Sequence, residues 1–498
     1  MNQLDYCLMN PLQKFGYWLL HALQAVPGRV VNGAKALGRG VVAMVKGFGR
    51  GVVNLGKMFV KGDLFVKLSY LIMGLGSLVR GQVVKGLLYL GAEIGFFAVF
   101  FGFGWKYLQD LFTLGTSVQE VIGHTPLGTP LYAEMDNSML ILLYSVMMLL
   151  VAAAFLFIWN ANLKSAYKAC EAHRRGEKLP GIKKDLAALM DEKYHVTMLA
   201  VPTLLAAAFV ILPLIFMVLI AFTNYDSNHQ PPGNLFTWVG FENFKDVLWD
   251  DPVKSYTFRH LLQWTVIWAI FATFTNYIFG MLLAIIINKK GIKFKKLWRT
   301  IFVLTIAVPQ FVSLLIMSKI FYDQGTGGPV NVILQSLGFG MVHFLSDPVL
   351  ARITVIFVNM WVGIPYSMLI TSGILMNIPA DLYESARIDG AGPVKQFTKI
   401  TMPYMLFVTT PYLITQFVGN FNNFNVIYLL TQGNPKSLSL YQAGETDLLV
   451  TWLYKLTVNF SDYNLASVIG ILVFIISAVL SLIVYNSSSS MKNEEAFQ

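Results

Sequence analysis

The chain has 498 residues, 55% of them hydrophobic and 13% charged, with a formal net charge of +10. Soluble globular proteins carry about 25% charged residues, so composition excludes a water-soluble fold. The surplus Lys and Arg are not grouped with stacking aromatics in a polar domain, which argues against nucleic acid as a partner; in a membrane protein such a surplus reports orientation. Two cysteines, Cys7 and Cys170, make neither a disulfide framework nor a metal site, and no cofactor is called for.

The first twenty residues, "MNQLDYCLMNPLQKFGYWLL", lack a basic start followed by an apolar core and a small-residue cleavage site. They read as retained, not as a signal peptide. Residues 6–62 hold eight Lys or Arg and no acid, with Arg29, Arg39, Arg50 and Lys61 ten or eleven apart. That spacing gives an amphipathic helix lying on anionic lipid headgroups or, because of its glycines, a flexible basic arm. The stretch "GRVVNGAKA" (28–36) imitates a phosphate loop, but Ala34 stands where the lysine belongs, so it holds no nucleotide.

A transmembrane helix needs roughly 20 mostly apolar residues. Eight stretches qualify: 86–105, 139–159, 199–222, 262–287, 300–321, 353–375, 404–430 and 464–485. Six of these carry no Asp, Glu, Lys or Arg; Glu93 and Lys319 interrupt the other two. Glu93 is given no role. The gaps on the side of both termini hold 29 Lys and Arg, against 7 on the other side. The termini are therefore expected in the cytoplasm of a multi-pass, all-α protein of the cell membrane. Four segments follow: a basic N-terminal region (1–85), three spans with their loops (86–257), a core (258–485) and a tail (486–498).

One cytoplasmic gap carries a concentrated polar cluster, "ESARIDGAGP" at 384–393. Pro379 and Asp381 suit a helix start, Gly390 and Gly392 a stop, and Pro393 a second start. On these features alone the segment could be an ordinary helical hairpin. Its spacing says more: Glu384, Ser385 and Ala386 are followed by Asp389, Gly390, Ile400 and Pro403. This resembles the EAA signature of ABC importer permeases, with Ser385 replacing the second alanine and Met402 the usual leucine. The resemblance implies that 381–403 is a coupling loop, with Glu384, Ser385, Ala386, Asp389 and Gly390 meeting an ATPase subunit.

Wider stretches, "NMWVGIPYSMLITSGILMNIPADLYESARIDGAGPVKQFTKITMP" and "GNFNNFNVIYLLTQGNP", resemble the MalF-type permeases of maltose and maltodextrin importers over roughly 258–485. The gap 223–261 is too short for the large extracytoplasmic domain that some members carry there. The resemblance implies a type I importer core of about eight helices. Its partners would be a second, MalG-type permease, an ATPase dimer, an extracellular sugar-binding protein and an oligosaccharide substrate, with catalysis left to the ATPase.

In the seventh span Gln416, Gly419, Asn420 and Asn423 stand at i, i+3, i+4 and i+7, one face of a helix. In the sixth, Asn359, Gly363 and Tyr366 do the same at i, i+4 and i+7. Amides pair with sugar hydroxyls, glycine admits a ring, and tyrosine offers a flat face. The competing reading is helix packing, in which small residues bring helices together and amides bond across. The resemblance favours sugar contact at these seven positions. An ion-coupled carrier would use buried carboxylates, and six of the spans carry no charge at all; a membrane enzyme would show a catalytic motif, and none is present.

Topology is checked by labelling. Cys7, Cys170 and the basic gap 288–299 should be protected from impermeant thiol reagents or proteases in intact cells, and a cysteine at Asn137 should react. Labelling of both native cysteines from outside would invert the topology.

Overall fold

The computed structural model describes residues 38–487, apart from 41, 44, 45, 48, 133, 134, 178 and 290. Cys7, the stretch 28–36 and most of the tail lie outside the described residues. Within the basic region, residues 49–61 form a largely exposed helix. The described residues fall into two compact units, one ending at Asn243, which includes this helix, and the other beginning at Phe244. Among the described residues six helices are long and apolar enough to cross a membrane, and seven if one bent pair counts as a single span.

The first unit contains helices α1 (Val83–Asp110), α2 (Ser138–Arg174) and α3 (Tyr194–Ile220), with an antiparallel hairpin, β1 (Val121–His124) and β2 (Pro130–Tyr132), between α1 and α2. At about 1.5 Å per residue, the 37 residues of α2 extend some 55 Å, well beyond a ~30 Å hydrocarbon layer. Asn137 caps its start by accepting the Leu140 N–H at 3.1 Å. Asp63 caps a short turn, Leu64–Leu68, and pairs with Arg80 at 2.5 Å.

Glu93, without a role in the sequence, is an anchor here. Its carboxylate accepts the Met73 N–H at 2.7 Å inside the unit. Next to it, Asn162 of α2 accepts the Gly74 N–H at 2.9 Å and donates to the Ser69 carbonyl at 3.1 Å. Trp159 adds a bond to the Tyr70 carbonyl at 3.2 Å. A non-helical turn buried among spans has to find partners for its backbone groups; these three side chains supply them. Cys170 is also buried, at 2% exposure, so its protection from a thiol reagent carries no information about sidedness.

The second unit is built on α4 (Pro252–Asn288) and α7 (Pro348–Leu375), which pack along much of their lengths. Asp251 and Asp347 cap these helices, each accepting two backbone N–H groups. Gly280 makes the close approach possible, because a Cβ there would lie 2.5 Å from the Ser367 Cβ. Trp264 and Trp268 of α4 anchor the core with Leu314, Val355 and Val358. Their indole N–H groups are both satisfied, by the carbonyls of Thr446 and Asn420 at 3.1 and 3.0 Å.

Two expected spans are broken. The stretch 300–321 is two helices, α5 (Lys295–Ala307) and α6 (Gln310–Ile320), meeting at 91°. Pro309 forces the bend, since the residue before a proline is driven from the helical region, and Val308 sits at ψ 124°. The stretch 404–430 divides as well. After α8 (Ala380–Ile388) and a connecting turn, α9 (Met402–Phe421) stops at Asn422, and α10 (Phe424–Leu430) starts under a cap from Asn423. Helix α9 is long enough to span but too polar to join the set of six. Helices α11 (Leu449–Val458) and α12 (Tyr463–Ser487) complete the unit. In the loop before α11, Asp447 is wholly buried and pairs with Lys455 at 2.5 Å. Burial pushes its carboxyl above the usual carboxylate range, and Lys455 offsets only part of that.

The clasp around Asn162 can be tested directly. Asn162→Ala strips partners from one buried N–H and one buried C=O, each costing about 1–3 kcal/mol. A clear fall in the thermal unfolding temperature in detergent is expected; an unchanged transition would show that the turn does not depend on this residue.

Candidate functional site

Three helices of the second unit, α4, α7 and α9, bring together polar side chains between apolar ends. On α4 the face is Thr273, Asn276, Tyr277 and Gly280, at i, i+3, i+4 and i+7. The sequence reading missed this face, although the same periodicity that marked the other two spans runs through it. On α9 Thr409 bonds to the Tyr277 hydroxyl at 2.7 Å, and Tyr412 meets the Ser367 hydroxyl of α7 at 3.2 Å. Every bond in this region is between neutral groups.

The seven positions expected to contact sugar do not behave alike. Asn359 is 4% exposed, and its Nδ2 has no hydrogen-bond partner. Gly363, one turn further on, does not open an empty notch: a Cβ there would overlap the amide of Asn276. Tyr366 is 46% exposed, its ring 6.4 Å from that of Tyr412. On α9, Gln416 is half-buried, and Gly419 is exposed with open space around it.

Asn420 is committed to packing contacts. Its Nδ2 donates to Thr273 Oγ1 at 3.0 Å, and its carbonyl accepts from Trp268. Asn423 does not extend the α9 stripe by a turn, because the helix has already ended. Its backbone is extended at φ −78° and ψ 96°, and its side chain accepts the Val426 N–H at 3.2 Å while donating to Asn420 Oδ1 at 3.4 Å. Asparagine competes for backbone partners and favours caps over helix interiors, a preference that overrides the periodic pattern here.

The other candidate surface is α8, on the connection between α7 and α9. Its N-terminus falls at Pro379, without a side-chain cap; Asp381 lies in the first turn, where a carboxylate suits the helix dipole, but does not act as the cap. Gly390 turns the chain at φ +72°, a conformation that glycine adopts without strain. Gly392, at φ −69°, precedes the helical turn Pro393–Gln396. Glu384, Ser385 and Asp389 are exposed and Ala386 is half-buried. Ile388 and Val394 stand in the open at 87% and 76% exposure. Tyr383 holds the connection to the unit, its hydroxyl 2.9 Å from Thr401 Oγ1.

Residues 276–493 match the family model described as a binding-protein-dependent transport system inner membrane component. The chain is 36% identical over 425 residues to the galactooligosaccharides transport system permease protein GanP of Bacillus subtilis, covering 85% of this chain and 97% of that one. It is 34% identical to the maltodextrin transport system permease protein MdxF of the same organism, covering 85% and 95%. Among solved structures, a bacterial ABC transporter involved in import of the acidic polysaccharide alginate has a chain with the same fold, at a TM-score of 0.50 and 24% identity over 61% of this chain and 98% of that one.

Two substitutions on α9 separate packing from exposure. Asn420→Ala leaves the Thr273 hydroxyl without its partner and should lower stability by about 1–3 kcal/mol. Gln416→Ala should leave the unfolding temperature in detergent unchanged. Equal effects from the two would contradict the division drawn between them.

Proposed function

Because this chain belongs to the family of binding-protein-dependent transport system inner membrane components, we propose that it moves neutral hexose oligosaccharides across the cell membrane. It is the membrane-spanning permease subunit of an ATP-driven importer that works with a binding protein, and ATP is hydrolysed by a separate ATPase subunit. In our reading its termini are cytoplasmic, and its partners are an extracellular sugar-binding protein, a second MalG-type permease and an ATPase dimer.

The observation that carries this reading is the exposed EAA surface on α8. Two large apolar side chains, Ile388 and Val394, stand in the open beside Glu384, Ser385 and Asp389. Exposed apolar surface rimmed by polar residues marks a contact with another protein, and in this permease that contact is with the ATPase. Gly390 holds the two arms of the surface at a fixed angle through its positive φ.

The choice of a neutral oligosaccharide is supported by the chemistry of α4, α7 and α9. Residues 262–287, 353–375 and 404–421 contain no Asp, Glu, Lys or Arg. Amides and hydroxyls without formal charge suit an uncharged polyol, and a proton-coupled carrier would have needed a carboxylate on this path. Galactooligosaccharides and maltodextrin, the substrates in the names of two relatives, are both such sugars. Asn359, Tyr366 and Gln416 are the proposed contacts, with Gly363 seating the Asn276 amide, Gly419 leaving room beside them, and Asn420 and Asn423 holding the end of α9 in shape.

Coupling is tested on the assembled importer in vesicles. Gly390→Pro forces φ negative and Glu384→Lys reverses a surface charge; each should reduce sugar uptake by roughly 5- to 150-fold, the range of a coupling free energy of about 1–3 kcal/mol. Retention of normal uptake by both variants in recovered complexes would remove the coupling role assigned to α8.

A further inference from the structure

Seven buried side-chain atoms among the described residues lack a hydrogen-bond partner, and two of them lie on facing helices of one interface: Asn276 Oδ1 on α4 and Asn359 Nδ2 on α7. Native proteins leave few such atoms, because each costs about 1–3 kcal/mol. Here the two are complementary, one an acceptor and the other a donor, yet they do not bond to each other. Gly363 explains the arrangement. It lies one turn beyond Asn359 on α7, and the Asn276 amide fills the space a Cβ would take. Asn276 is thus held against the backbone of α7, one helical turn from Asn359, with its carbonyl oxygen left over.

Packing alone does not account for this. A packing amide uses its polar atoms across the interface, as Asn420 does with Thr273 at 3.0 Å one turn away along α4. A hydroxyl both donates and accepts, so a single hydroxyl between the two amides would satisfy Asn276 Oδ1 and Asn359 Nδ2 together. Building on the oligosaccharide reading above, we propose that Asn276 is a further substrate-binding residue: with Asn359 it holds one hydroxyl of the sugar, making α4 a third wall of the site. The whole Asn276 amide, its nitrogen nearest and its Oδ1 included, rests on Gly363, so the carbonyl has little freedom to follow a misplaced hydroxyl. The pair therefore selects for hydroxyl position as well as contributing affinity.

The test uses the complete importer in proteoliposomes, with labelled maltotriose or galactotriose, whichever the wild type accumulates, and monodeoxy derivatives of that sugar. Asn276→Ala should lower uptake of the parent sugar by roughly 5- to 20-fold, the scale of one lost buried hydrogen bond, with complex recovery unchanged. For one deoxy derivative, lacking the hydroxyl that Asn276 reads, wild type and variant should transport equally; this coupling is the signature of a direct contact. Asn276→Ser, which keeps a short polar group, should recover part of the loss for the parent sugar. If Asn276→Ala and Asn276→Ser reduce every derivative by the same factor, or both lower complex recovery, Asn276 serves packing and the proposal is overturned. If Gln416→Ala and Asn359→Ala depress uptake but Asn276→Ala does not, this inference alone fails. If none of the three matters, or the wild type accumulates neither sugar, the oligosaccharide site itself is wrong and this inference falls with it.

Discussion

The contact between α4 and α7 is what the rest of the second unit depends on. In hydrocarbon, helices gain nothing from hiding apolar side chains from each other, so association rests on close packing and on the few hydrogen bonds that cross. Gly280 lets α4 meet α7 at Ser367, and Gly363 lets α7 receive the Asn276 amide. These two notches face opposite ways, one on each helix, and together they fix the register of the pair. Trp264 and Trp268 then fill the part of the same interface toward the N-terminus of α4, each tied through its indole to a carbonyl beyond α4. Helix α9 enters this frame as a third member, through Tyr277 with Thr409 and Thr273 with Asn420.

Around that frame the chain departs from straight spans at places with identifiable chemistry. Pro309 separates α5 from α6 at 91°. Asn423 ends one helix and begins another. In the first unit, the turn near Gly74 is held by Glu93 and Asn162. Each irregularity frees backbone N–H or C=O groups, and buried groups of that kind must find new partners. Caps and anchoring side chains supply them at Asn423 and Gly74. The irregularities are therefore specified by side chains and are not loose joints.

The sequence revealed the class of protein, most of its spans and the short helix α8 because these depend on long apolar runs and on local helix signals. Gly390 was legible for the same reason: a glycine at a helix end announces a positive φ. The polar faces were legible only in part. Periodicity put Asn359, Gly363 and Tyr366 on one side of α7, and the helix is regular enough to keep them there. It failed at Asn423, where a cap ended the helix before the pattern could continue. Asn276 went unread although Thr273 and Gly280 flanked it at helical spacing, because its significance lies in what faces it on α7, and pairing across helices is not written in either strand of sequence. Glu93 was opaque for a similar reason, since its partner is a backbone N–H twenty residues away.

The filled notch at Gly363 also limits which side chains the interface can accept. Positions 276 and 363 draw on one shared volume: what one residue gains in atoms the other must give up. A larger residue at position 363 has no room while the amide occupies the space. Adding atoms at 363 therefore requires removing them at 276, so the two positions make one steric choice between them.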